Sequence, residues 1–190
     1  MSSIKKIAVF ASGSGSNFEA IANACAKGRI NAQVALCVCD HPGAYVTERA
    51  KKLNVPVLEI RPKNFPSKAE YEKTILSECE KKGVEFICLA GYMRIIGDTL
   101  LNAYEGRIIN IHPSLLPSFP GVDAIGQALA YGVKVFGVTI HYVDQTLDGG
   151  KIISQAAIPY EGGDREELEA MIHPREHALY VSTLQSLFKN

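Results

Sequence analysis

The sequence predicts an α/β fold, in which a mostly parallel mixed sheet carries helices on both faces. Over the first two thirds of the chain, continuous apolar runs typical of strands buried on both faces alternate with segments of helical period. This alternation predicts βαβ units, and hence parallel strand pairs. In the last third, two apolar runs are joined by a polar stretch that contains glycine. That pair could be antiparallel, which would make the sheet mixed.

The individual elements follow in order along the chain. Apolar runs predict strands at residues 7–11, 34–39, 55–60, 86–90, 107–111, 135–143 and 151–159. Apolar residues at helical spacing predict helices at residues 17–26, 44–53, 68–82, 99–104, 124–131 and 166–188. Pro174 could kink or restart the last helix. No repeat, low-complexity tract or linker interrupts this order, which favours one domain over residues 1–190.

Length and composition narrow the class of protein. A chain of 190 residues with 47% hydrophobic and 21% charged residues is ordinary for one globular domain. Its 20 Lys and Arg balance its 20 Asp and Glu, which argues against a nucleic-acid binder that works by bulk charge. The 5 cysteines lack framework spacing and indicate reduced thiols, and neither a signal peptide nor a membrane-spanning run is evident. We therefore expect a cytoplasmic protein that binds neither nucleic acid nor membrane.

The segment from Ser12 to Asn17, here called the glycine loop, joins the first predicted strand to the first helix. Gly13 and Gly15 permit close backbone approach, and Ser16 or Asn17 can cap the helix, whose N-terminus attracts an anion. The third glycine of a dinucleotide site and the Gly-Lys-Ser/Thr of a P-loop are missing, so a single phosphate fits better than a pyrophosphate. The alternative is a plain turn with a serine cap.

Asn110 and His112 end a buried strand. Residues two apart on a strand point to the same side, so both side chains project together where open α/β sheets bind ligands. Pro113, Pro117 and Pro120 then stiffen the loop that follows. Either of the two later prolines could follow a cis peptide bond, which the sequence does not decide.

Asp148 precedes two glycines that allow a bend turning its carboxylate inward. Beside His112, this carboxylate would favour the charged imidazolium, and the Asn110 amide would complete an oxyanion-stabilising pair suited to acyl transfer. Because the Gly-x-Ser-x-Gly nucleophile elbow is missing, direct transfer to an external nucleophile is expected. Taken alone, Asp148 is more often a turn residue between strands.

Four motifs carry a resemblance over essentially the whole chain: SGSGSN at 12–17, AGYMR at 90–94, NIHPSLLP at 110–117 and LDGG at 147–150. They are similar to the folate-dependent formyltransferase superfamily and, within it, to the phosphoribosylglycinamide formyltransferase family. The resemblance implies a Rossmann-like sheet of formyltransferase type. It also implies formyl transfer from 10-formyltetrahydrofolate, a co-substrate, to glycinamide ribonucleotide in de novo purine biosynthesis. No metal, and a monomer or homodimer, are expected.

The resemblance implies a role for each matching position. The catalytic residues would be Asn110, His112 and Asp148. The ribonucleotide would bind Gly15, Ser16 and Asn17, and the start of a late helix at His173, Pro174, Arg175 and Glu176, with Glu176 on the amine. The folate would bind Asn110 and Asp148 together with Lys68, Met93, Arg94, Ile95, Ile96, Asp144, Gln145, Thr146 and Leu147. Residues 1–105 would then form a phosphate-binding half and residues 106–190 a catalytic and folate-binding half.

Two departures from the family pattern stand out. Many members carry a histidine-containing stretch where this chain has residues 122–127 (VDAIGQ), which puts ribonucleotide contacts there in doubt. The usual Leu-Tyr-Pro near the end is Leu179-Tyr-Val181 here, which is expected to affect helix geometry only.

Three rival functions fit the sequence less well. A formyltetrahydrofolate hydrolase is expected to be longer and to carry a different motif at His112, and a methionyl-tRNA formyltransferase needs a further RNA-binding domain. A non-catalytic nucleotide-binding module would not need Asn110, His112 and Asp148 together.

Other polar residues have plainer interpretations. Cys37, Cys39 and His41 alternate, but the cysteines lie in an apolar strand and no second pair has zinc spacing, so a metal site is not expected. His141, on a predicted strand, is expected to make a structural hydrogen bond.

Overall fold

A computed structural model describes residues 4–189. Within that range, a seven-stranded sheet runs in the order β3-β2-β1-β4-β5-β6-β7. The strands are β1 (Lys5–Ala11), β2 (Ala32–Cys39), β3 (Val57–Glu59), β4 (Phe86–Leu89), β5 (Ile108–His112), β6 (Val135–Tyr142) and β7 (Ile152–Pro159). The helices are α1 (Ser16–Ala26), α2 (Tyr45–Lys52), α3 (Lys68–Lys82), α4 (Asp98–Ala103), α5 (Ala124–Tyr131) and α6 (Arg165–Leu187), with a 3-10 turn at Pro62–Asn64.

Strand pairing confirms the predicted mixed sheet. The first five strands pair in parallel, β6 is antiparallel to β5, and β7 is antiparallel to β6. The third strand is shorter than predicted and covers Val57–Glu59. Helix α6 continues through Pro174 and does not restart there. The structure also answers the open question about the prolines, since the Leu116–Pro117 bond is cis.

Helices cover both faces of the sheet, which explains why the β1 run is continuously apolar. Ile7 and Val9 pack into a cluster with side chains of α1, α2 and α6. Ala8 and Phe10, which point the other way, pack into a second cluster with α3 and α4. A third cluster joins β6 and β7 to α5 and α6. Alternate residues of one strand therefore enter different cores.

The strand order brings several loops together at one edge. From β1 the chain passes to β2 on one side, and β4 lies on the other, so the carboxyl ends of β1 and β4 flank the point where the order reverses. Open α/β sheets bind ligands at such a crevice. Within residues 4–189, no helix is both long and apolar enough to cross a membrane.

Candidate active site

Four polar side chains meet beyond the end of β5, and we call them the polar cluster: Asn110, His112, His141 and Asp148. Asn110 and His112 come from β5, and the antiparallel register pairs Asn110 with His141 of β6. Asp148 arrives from the loop between β6 and β7. The structure therefore brings together the three side chains that the sequence proposed as catalytic, and adds a fourth.

His112 is buried, and both of its ring nitrogens face acceptors. Its Nε2 lies 2.8 Å from the carbonyl oxygen of Phe119, and its Nδ1 lies 3.5 Å from Oδ2 of Asp148. Since a carbonyl oxygen only accepts, Nε2 carries a hydrogen and donates a hydrogen bond to the carbonyl oxygen of Phe119. Nδ1 is then the nitrogen whose protonation state decides whether the ring is charged, and a carboxylate stands beside it.

Asp148 is held in place by backbone as well as by side chains. Its φ is 50°, in the left-handed region, and its Oδ2 accepts a hydrogen bond of 2.8 Å from the amide of Gly121. A Cβ on Gly150 would lie 1.9 Å from the carbonyl oxygen of Tyr142, so the close return of the chain requires glycine there. The result is a carboxylate whose side chain is only 11% exposed and turned toward His112.

His141 is the cluster member that sequence reasoning did not place in the site. Its Nδ1 lies 2.8 Å from the carbonyl oxygen of Tyr142, while its Nε2 lies 3.4 Å from Nδ2 of Asn110 and 3.7 Å from Oδ1 of Asp148. Burial lowers the pKa of His141, which favours a neutral ring. Nδ1 then donates to Tyr142 and Nε2 accepts from the Asn110 amide, so His141 orients that amide. The sequence carried no signal for this placement, because the pairing of His141 with Asn110 depends on the register of β5 and β6.

The glycine loop leads into α1 by a backbone turn that requires glycine. Gly15 is the N-cap of α1 with φ 75°, and a Cβ there would lie 2.4 Å from Cγ2 of Val46. The prediction that Ser16 or Asn17 caps the helix is wrong. Both lie inside its first turn, and no side-chain hydrogen bond caps α1. The first-turn amides of a helix have no partner within it, so they remain suited to an anion.

Asn17 links the glycine loop to the middle of α6. Its Nδ2 donates 3.1 Å to Oε2 of Glu176, and both residues are buried. His173 Nδ1 lies 3.4 Å from the same oxygen, and this contact raises the pKa of His173. Pro174 and Arg175 are exposed. The resemblance implied that a late helix starts at residues 173–176. This expectation is wrong, because α6 begins at Arg165 and these four residues lie within it.

One atom of Asn17 has no partner. Its Oδ1 is buried and makes no hydrogen bond within the described part of the chain. An unsatisfied buried acceptor is costly, so this oxygen is suited to receive an N–H or O–H from a ligand.

Two adjoining cavities collect most of the residues expected to bind folate. The first, about 480 Å³, is lined by Lys68 and by all of Met93–Ile96, among others. The second, about 550 Å³, is lined by Lys68, Ile96 and Gln145. Asp144, Thr146 and Leu147 lie on the exposed loop that leads to Asp148. Cavities of this size suit a ligand of drug-like dimensions.

The cavity wall is braced from α3. The buried carboxylate of Glu72 accepts hydrogen bonds from the amides of Gly97 at 2.6 Å and Leu100 at 3.4 Å, and so caps α4 from outside. The hydroxyl of Tyr92 lies 2.6 Å from that of Tyr71, which ties the loop after β4 to α3. Among residues 4–189, no group of three or more His, Cys, Asp or Glu could hold a metal ion.

An amide, an imidazole and a carboxylate gathered at the carboxyl edge of a mostly parallel sheet are typical of an α/β enzyme that stabilises an oxyanion. Comparison with known proteins makes the family explicit. Residues 5–184 match the formyl transferase family. The chain therefore belongs to that family, and the resemblance inferred from the motifs is confirmed.

Individual relatives agree. A phosphoribosylglycinamide formyltransferase of Bacillus subtilis (strain 168) is 52% identical over 185 residues, covering 97% of this chain and 95% of the relative. One of Escherichia coli (strain K12) is 36% identical, covering 92% and 82%. The crystal structure of glycinamide ribonucleotide transformylase 1 from Geobacillus kaustophilus matches with a TM-score of 0.95 and 55% identity, covering 98% of this chain and 100% of that one.

Proposed function

We propose that this chain transfers the formyl group of 10-formyltetrahydrofolate to the amine of glycinamide ribonucleotide, a reaction of de novo purine biosynthesis. The observation that carries this proposal is the polar cluster, in which Asp148 stands 3.5 Å from His112 and His141 orients Asn110. Membership of the formyl transferase family supports formyl as the group that is transferred. The chemistry of the polar cluster supports direct attack of the amine on the formyl carbon.

The reaction begins when the amine nitrogen attacks the formyl carbon. A tetrahedral intermediate forms, and its oxygen becomes an oxyanion. Asn110 supplies an N–H for this oxygen, because Nδ2 carries two hydrogens and His141 accepts only one. A proton on Nδ1 of His112 gives a second donor and a positive charge, which the carboxylate of Asp148 stabilises.

The intermediate collapses when the bond between the formyl carbon and folate nitrogen 10 breaks. The attacking nitrogen loses a proton and nitrogen 10 gains one, so the overall transfer needs no oxidant or metal. Asp148 is the group suited to move that proton, directly or through a water molecule, since its carboxylate faces both imidazoles. The products are tetrahydrofolate and the formylated ribonucleotide.

For the ribonucleotide, we propose that Gly15, Ser16 and Asn17 bind the phosphate and that Glu176 holds the amine. The free amides at the start of α1 suit a phosphate. The carboxylate of Glu176 suits an amine, and Asn17 and His173 both contact its Oε2. Arg175 is exposed and carries positive charge on the same helix.

For the folate, we propose that Met93–Ile96 and the 144–148 loop form the two walls of its site, with Lys68 facing the acidic tail. Lys68 lines both cavities, and its ammonium suits a carboxylate. The two proposed substrate sites each draw on both halves of the chain, which supports one functional domain over residues 1–190.

The decisive experiment follows loss of the formyl group from 10-formyltetrahydrofolate, with and without glycinamide ribonucleotide. We expect loss only when the ribonucleotide is present, with one formylated ribonucleotide formed per tetrahydrofolate. Loss without the amine would instead identify a hydrolase. No loss in either reaction would favour a non-catalytic module.

A further inference from the structure

Asp40 is a buried carboxylate that the proposed mechanism does not use. It follows directly after β2, and its side chain is only 3% exposed. Burying a carboxylate is costly unless it is paired and hydrogen-bonded. Its partners therefore show what the position does.

Asp40 belongs to a closed ring of hydrogen bonds. Its Oδ1 accepts from the hydroxyl of Ser12, and its Oδ2 accepts from Nε of Arg94 at 2.7 Å. The same Ser12 oxygen accepts from the amide of Met93 at 2.8 Å. A hydroxyl has a single hydrogen, which goes to Asp40, so a lone pair is left for Met93. Because Met93 and Arg94 are consecutive, the three contacts close on themselves.

The ring joins two parts of the molecule that serve different substrates in the proposed function. Ser12 opens the glycine loop, whereas Met93 and Arg94 line the first of the two proposed folate cavities, of about 480 Å³. The strand order places the carboxyl ends of β2, β1 and β4 side by side, which brings the three loops within reach. Asp40 accepts a hydrogen bond from Nε of Arg94, which fixes the plane of the guanidinium and leaves its two terminal nitrogens free of Asp40. The Arg94 side chain remains about half exposed, at 52%.

We propose that Asp40 is a positioning residue that locks the Met93–Arg94 wall against the glycine loop and thereby couples the two substrate sites. The inference rests on the proposed function and deepens it. A ligand that orders either loop also orders the shared ring, so the second ligand meets a wall already in place. That is positive coupling, and it is reciprocal.

The test measures equilibrium binding of tetrahydrofolate by titration calorimetry, with and without saturating glycinamide ribonucleotide. In the wild-type chain, we expect the ribonucleotide to tighten tetrahydrofolate binding at least about fivefold, at the lower end of typical couplings. In Asp40→Asn, an amide NH₂ replaces one of the two carboxylate oxygens, so either Ser12 or Arg94 loses its acceptor. We expect tetrahydrofolate to bind about tenfold more weakly, as for loss of a charge-assisted hydrogen bond, and the enhancement to disappear.

Two further variants separate positioning from general destabilisation. Glu59→Gln removes a carboxylate at the end of the neighbouring strand β3, where it accepts only from the amide of Gly43 among the described contacts. It should keep the wild-type affinity and coupling. Ser12→Ala opens the same ring from the other side, and should lose the coupling even if Asp40→Asn proves too unstable to study. The double variant should bind no more weakly than the weaker single variant, since both break one unit.

The outcomes are distinct. Wild-type coupling in Asp40→Asn or Ser12→Ala, additive losses in the double variant, or a wild-type chain whose tetrahydrofolate affinity ignores the ribonucleotide would each overturn the inference. Binding is measured without turnover, so the two proposals can fail separately. A chain that binds both ligands with coupling but transfers no formyl group overturns the proposed function alone. A chain that binds neither overturns both.

Discussion

The glycine loop and the polar cluster are built in opposite ways. The glycine loop, residues 12–17, is one contiguous segment, and what it offers a ligand is mainly backbone: a left-handed Gly15 and the free amides at the start of α1. The polar cluster is assembled from side chains of β5, β6 and a distant loop. A site made of backbone can be encoded in a few neighbouring residues. A site made of side chains exists only after the strands have paired.

The two regions also differ in their electrostatics. The glycine loop presents partial charges from aligned amides, which attract an anion without a titrating group. In the polar cluster, one carboxylate stands between two imidazoles. Burial lowers the pKa of His141 and so favours its neutral ring, which leaves the carboxylate of Asp148 beside Nδ1 of His112 as the charged group of the cluster. The first region is therefore suited to binding, and the second to moving charge during a reaction.

The largest effect expected from this contrast is in the polar cluster. Asp148→Asn keeps the shape of the side chain but removes its charge and its ability to take a proton. We expect turnover to fall by about 10²–10⁴, with the affinity for either substrate changed far less. Steady-state kinetics with both substrates varied would measure this, and circular dichroism would check the fold.

Glu78→Gln is a matched control, because it also neutralises one carboxylate, in an ion pair with Lys81 on the outer face of α3. Its turnover should equal that of the wild type. Near-normal turnover in Asp148→Asn would refute the role assigned to the carboxylate.

The second effect tests the claim that the glycine loop acts through its backbone. Gly15→Ala forces a side chain onto a φ of 75° and into Val46, so the unfolding free energy should fall by about 1–3 kcal/mol. The KM for glycinamide ribonucleotide should rise more than the KM for the folate. Denaturant unfolding and kinetics would measure the two effects.

Gly28→Ala separates strain from contact. Gly28 has a similar φ of 67°, but nothing lies within 4 Å of a Cβ built there. Its stability should fall by less, and its ribonucleotide KM should not change. An equal loss in both variants would mean that the contact with Val46 contributes nothing.

The smallest effect concerns the neutral state of His141. Its pKa is lowered in the fold from the ordinary value of 6.5, so below that pH the unfolded chain binds a proton that the native chain does not. This contribution to stability is present at higher pH and is lost as the pH falls below the unfolded value. Over pH 7 to 5.5 it can remove no more than about 1.3 kcal/mol.

His141→Gln should therefore show a shallower loss of stability than the wild type over that range, measured by urea unfolding at each pH. His177, whose pKa is also lowered by burial, and His173, whose pKa is raised by Glu176, are present in both proteins. The difference between the two curves reports on His141 together with its electrostatic coupling to Asp148 and His112. Parallel curves would show that its ring is not held neutral.

Features that depend on neighbouring residues, like the glycine loop, were predictable from the sequence, whereas features assembled from distant elements, like the polar cluster, were less so. The helices and most strands were predicted to within about two residues, because apolar period is a local property. The N-cap of α1 was harder to predict from the sequence. Ser16 and Asn17 are good capping residues by type, yet the N-cap is Gly15. Val46 leaves no room for a Cβ at that position, and this contact joins residues far apart in the chain. Likewise, Pro174 is a helix breaker by type, but α6 continues through it.

By itself, the sequence determined the alternation of elements, the mixed sheet, the glycine turn and the identity of three of the four side chains in the polar cluster. Only the tertiary structure decided which atoms face one another: His141 on Asn110, the Phe119 carbonyl on His112, and Asp40 between Ser12 and Arg94. Periodicity and turn chemistry act between residues close in the chain. These contacts join residues far apart in the sequence or brought together by a folded loop, so they depend on strand order and register.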